Sequence, residues 1–88
     1  MTTLQQIFSI QEEIISLIPS DHMVVDQGML IPDGTETELF RDMTIEVGDD
    51  EYSFSYSNLG HLKGDVPPRM VIPINHLMHR LQQDAAAY

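Results

Sequence analysis

Eighty-eight residues with a 42% apolar fraction are expected to form one folded domain, residues 1–88, with little core in reserve. The absence of cysteine excludes disulfides, thiol catalysis and Cys-ligated zinc or iron–sulfur centres. Fourteen acids against four bases give a formal charge of −10, which argues against direct contact with nucleic-acid phosphates or anionic membranes and for cationic partners.

At the N-terminus Leu4, Ile7, Phe8, Ile14, Ile15 and Ile18 recur at helical spacing, and Ile10 and Leu17 widen the stripe. This predicts an amphipathic helix over about residues 3–18, broad enough to lie against a sheet and ended by Pro19. Polar Gln5, Gln6, Gln11, Glu12 and Glu13 interrupt it, and no basic stretch precedes it. Neither a signal peptide nor a membrane span is therefore expected, and the cytoplasm is the simplest location.

His22 to Ile31 reads as a strand, interrupted by Gly28, which marks a bulge or a close backbone approach. Pro32-Asp33-Gly34 is a turn signal. From Thr37 onward Leu39, Met43, Ile45 and Val47 share one parity, with Arg41 as the exception and Phe40 on the opposite face. In the hairpin over residues 43–57, Tyr52, Phe54 and Tyr56 alternate with Ser53, Ser55 and Ser57 across the Gly48-Asp49-Asp50-Glu51 turn. Each strand of that hairpin has one apolar and one polar face. Asn58 to Pro68 reads as an irregular loop, and Arg69 to Ile72 as a possible fourth strand. Pro73 suits the first turn of a helix in which Ile74, Leu77, Met78 and Leu81 form the core stripe. The expected fold class is α+β: a two-layer sandwich of an N-terminal helix, a three- to four-stranded antiparallel sheet and a C-terminal helix. Both helices cover one face, and the serines line the other.

Eight of the fourteen acids, Asp33, Glu36, Glu38, Asp42, Glu46, Asp49, Asp50 and Glu51, fall in one stretch that contains a single base, Arg41. They are the candidate partner-binding residues. Their band suggests a surface that imitates nucleic-acid phosphates and occupies a basic groove on a larger protein. The plain alternative is a solvated acidic face that maintains solubility. Asp33 to Glu38 places oxygen ligands at alternate positions but lacks the full calcium loop. His76 and His79 lie three apart on the C-terminal helix and would need His22 or His61 to hold zinc or nickel. They equally suit a pH-sensitive patch or a solvated helix end. No nucleophile motif or phosphate-binding glycine loop is present, so no enzyme activity and no cofactor or metal are expected.

In size and charge the chain is similar to small acidic inhibitors and adaptors carried by phages and mobile elements, a likeness of type that carries no residue across. The expected function is that of a non-enzymatic inhibitor or modulator of a nucleic-acid-binding protein. The alternative is a homodimeric structural or accessory subunit, pairing through the open sheet face or a strand edge.

Overall fold

A computed structural model describes residues 3–32 and 38–86. Helix α1 spans Thr3–Ser16, strands β1 to β4 span His22–Pro32, Leu39–Val47, Asp50–Ser57 and Leu62–Gly64, and helix α2 spans Val71–Ala86 after a 3-10 turn at Pro68–Met70. The four strands form one antiparallel meander in the order β1-β2-β3-β4. The expected α+β layout, central hairpin included, is the observed one.

The apolar parity of the hairpin produces the core. Met43, Ile45, Phe54 and Tyr56 pack from one sheet face against Ile7, Ile10 and Ile14 of α1 and Met70, Ile74, Leu77 and Met78. Both helices therefore lie on that face. The hairpin connection is tighter than the four residues expected: Val47 pairs with Asp50, so only Gly48 and Asp49 lie between the strands. Pro19 shortens α1 as well. Leu17 and Ile18 bond back three residues to Ile14 and Ile15, a 3-10 tightening that closes the helix at Ser16.

Three expectations need correction. The α1 stripe is wider than its contact: Ile7, Ile10 and Ile14 are buried, while Leu4, Phe8 and Ile15 stay exposed on the helix flank, where Phe8 meets the sheet over Arg41 of β2. Arg69 to Ile72 is not a strand. Pro68 initiates a 3-10 turn, and Val71 already begins α2. The fourth strand is instead Leu62–Gly64, inside the stretch expected to be irregular, where it pairs with Phe54 to Tyr56.

Gly28 meets both expectations placed on it. The β1–β2 register breaks between Gln27 and Leu30, and a Cβ at Gly28 would lie 2.7 Å from the Cβ of Asp42. A second break falls between Val24 and Asp26. Arg69 clasps the start of β1 by donating to both carboxylate oxygens of Asp21, at 3.0 and 2.9 Å. The hydrogen bond from His22 holds the Asp21 carboxyl below its ordinary range; desolvation opposes it, and the charge of Arg69 adds a lesser lowering. No helix among the described residues is long and apolar enough to cross a membrane.

Tyr56 is 0% exposed. Burial pushes its phenol from 10.0 up to about 12, against a lesser lowering by Arg41. The folded state thus keeps the proton after the unfolded chain has lost it. Stability is fully present below the unfolded pKa near 10 and is lost as the pH rises through about 12. At about pH 11 the loss amounts to roughly 1 kcal/mol. Urea unfolding of Tyr56→Phe beside the parent protein checks this. The variant is expected to lack that share of the alkaline loss, and an identical decline in both proteins would contradict it.

Candidate functional site

Facing residues of paired strands share one sheet face, so the register assembles the face away from the helices row by row. Met23, Glu46 and Glu51 form the row nearest the hairpin end, followed by Asp26, Thr44 and Ser53, then by Asp42, Ser55 and Lys63. Thr44 and Ser53 hydroxyls lie 2.9 Å apart. The Ser55 hydroxyl donates to the Asp42 carboxylate. A shallow cavity of about 330 Å³ lies on this face, lined by Asp26, Asp42, Thr44, Ser53, Ser55 and Lys63 among others. Phe40 opens onto the same face yet is only 6% exposed, and the Lys63 amine stands 4.3 Å from its ring centre. That cation–π contact covers an aromatic ring that a fully solvated face would leave bare.

The acidic candidates divide. Asp33 and Glu36 lie outside the described residues. Glu46, Asp49, Asp50 and Glu51 are all exposed and gather at the hairpin end. Glu46 and Glu51 face each other directly, an arrangement of like charges that works against the pairing. Among the described residues no cation lies within ion-pairing distance of these four carboxylates. Asp42 is half-buried behind them. Asp26 joins the same face, a placement hidden in the sequence because the register breaks of β1 scramble its alternation.

Glu38 does not belong to the exposed band. It is 7% exposed. Its Oε2 accepts a hydrogen bond from the Ser57 hydroxyl at 2.7 Å and lies 2.5 Å from His61 Nδ1. The Ser57 hydroxyl in turn accepts the backbone N–H groups of Leu59 and His61, at 3.2 and 3.0 Å. Asn58 adds a second tie, its side-chain oxygen accepting from the Leu39 N–H at 2.8 Å. Serine, carboxylate and histidine occur together here, but serine and imidazole both bond the same carboxylate. The imidazole therefore does not sit as a base against the hydroxyl, and the network holds the β3–β4 turn against the start of β2.

The histidines are dispersed. His22 is buried with Nδ1 2.9 Å from Asp21 Oδ1, and His61 is engaged by Glu38. His76 and His79 are exposed on α2, and His79 Nε2 lies 3.1 Å from the side-chain nitrogen of Gln83. His61 and His79 line one groove of about 620 Å³ beside α2, which also receives Lys63. Among the described residues no group of three or more His, Cys, Asp or Glu side chains is placed to hold a metal ion. No protein-family model, curated protein or solved structure matches this chain.

Proposed function

We propose that this protein is a non-enzymatic modulator that docks its acidic hairpin end on the basic, nucleic-acid-binding surface of a larger protein. The observation that supports this reading is the concentration of Glu46, Asp49, Asp50 and Glu51 at one end of the sheet, exposed and uncompensated among the described residues. Arg80 is paired with Glu13, and Arg69 is paired with Asp21, which adjoins His22 opposite Val47, so that pair flanks the hairpin end but balances its own charge. The four carboxylates leave a net negative field there, which speeds encounter with a cationic groove and makes association sensitive to salt.

The test neutralises the four residues together, as Glu46→Gln, Asp49→Asn, Asp50→Asn and Glu51→Gln. Fold stability is expected to hold or rise modestly, since the Glu46–Glu51 opposition disappears. Capture of a nucleic-acid-binding partner from host lysate at low salt is expected to fail. With the parent protein, that partner is expected to leave in a salt step and to be displaced by added nucleic acid. Undiminished capture by the neutralised variant would refute the proposal.

A homodimer is the second reading. Met23 is 64% exposed, and its strand β1 forms an edge of the sheet. The two register breaks of β1 oppose continuous edge pairing, which lowers this reading below the first. A dimer mass indifferent to salt and to the four substitutions would reverse that order.

A further inference from the structure

Arg41 stands apart from the other bases. Arg69 and Arg80 donate to carboxylates, and the exposed Lys63 reaches over the ring of Phe40. Arg41 occupies a helix-facing position of β2 and is half-buried, with no carboxylate within ion-pairing distance among the described residues. Its guanidinium carbon lies 5.5 Å from the ring centre of Phe8 on α1. Its Nε is buried and finds no hydrogen-bond partner among the described residues.

Its surroundings share that character. Tyr56 is directly opposite Arg41 in the β2–β3 register. The buried Tyr56 hydroxyl also has no partner among the described residues. A third such atom is Gln11 Oε1, on α1 three residues beyond Phe8 and so on the same side of the helix. Buried polar groups are normally bonded, and a half-buried guanidinium is normally paired. A chain with fourteen acids has ample means to supply a counter-charge. Among the described residues, three buried polar atoms, two on the facing pair Arg41 and Tyr56 and one on α1 near Phe8, lack a partner and the Arg41 guanidinium lacks a counter-charge, which together point to something supplied from outside.

The chemistry of the groups narrows what that is. The guanidinium fork and a phenolic O–H are donors matched to a planar carboxylate. Rotation of the Gln11 amide offers an N–H in the same place. Phe8 is 42% exposed and Leu4 precedes it by one turn on the same stripe, so the rim is apolar and aromatic. We infer that Arg41, backed by Tyr56 and Gln11 and covered by Phe8, forms a binding site for a carboxylate carried on an apolar or aromatic body. Phe8, exposed above the guanidinium, forms its outer wall. This site lies on the helix side of the sheet and is independent of the acidic hairpin end.

The full chain is tested by thermal unfolding at constant ionic strength, with chloride replaced by acetate, benzoate or inorganic phosphate at tens of millimolar. Benzoate is expected to raise the midpoint by about 4 °C or more, acetate by less and phosphate least. Arg41→Met keeps the length of the stem and removes the charge. It is expected to abolish the benzoate response while leaving the unliganded fold at least as stable as the parent. Titration of the parent with benzoate, followed through the Arg41 Nε–H resonance, reads the site directly even where the variant folds poorly. A phosphate response exceeding that of benzoate would overturn the carboxylate assignment. No shift of that resonance, or an equal response in Arg41→Met, would overturn the site.

Discussion

Gly60→Ala is expected to cause the largest loss of stability of any single substitution considered in this protein. Gly60 sits in the turn between β3 and β4 at φ 90°, where an L side chain is strained. An added Cβ would lie 2.3 Å from the carbonyl oxygen of Met78 and 3.0 Å from the backbone nitrogen of Gln82. Both are main-chain atoms of α2, so relief requires moving the helix or the turn. The turn is also tied down, since Gln82 Nε2 donates to the Gly60 carbonyl at 2.8 Å and the Gly60 N–H donates to Ser57. Strain and collision together are expected to cost about 3 kcal/mol or more, against a total of roughly 4–13 kcal/mol for a chain of this size. Gly48→Ala is the control. Gly48 has a φ of 61° but nothing within 4 Å of an added Cβ. It isolates the backbone strain, at about 1 kcal/mol. Urea midpoints of the two variants measure the difference. Equal losses would show that the turn is not held against α2 as closely as described.

Glu38→Ala carries the second largest expected effect, a loss of roughly 2–3 kcal/mol. The carboxylate accepts from the Ser57 hydroxyl and meets His61. Its removal strands a buried hydroxyl that itself orders the N–H groups of Leu59 and His61. Those two amides are expected to lose hydrogen-exchange protection before the rest of the sheet, with Glu38→Gln showing a smaller change. Protection unchanged in Glu38→Ala would mean that the backbone alone holds the turn. Salt-sensitive partner capture is expected to survive the substitution wherever the variant remains folded. This is the reverse of the hairpin-end neutralisation, which spares the fold and removes capture. The pair separates a structural carboxylate from binding ones within a single acidic stretch.

The sequence determined what depends on local backbone geometry. Alternation in Met43 to Val47 and Tyr52 to Ser57 set the hairpin and its two faces, because successive strand side chains point opposite ways. Pro19 and Pro73 marked one helix end and one helix start through their fixed φ and missing N–H. What the tertiary structure decided concerns side chains whose surroundings come from distant segments. Glu38 looked like its acidic neighbours until Ser57 and His61, 19 and 23 residues away, were brought to its carboxylate. Phe40 was covered only when β4 delivered Lys63, and β4 itself is too short to announce a period. Leu4, Phe8 and Ile15 belonged to an apolar stripe by spacing, but the number of neighbours available to α1 fixed which part of that stripe is buried. Periodicity is a property of one segment, whereas burial and charge compensation belong to pairs of segments. The acidic hairpin end was therefore largely legible in the chain, and the lack of a carboxylate partner for Arg41 among the described residues was not.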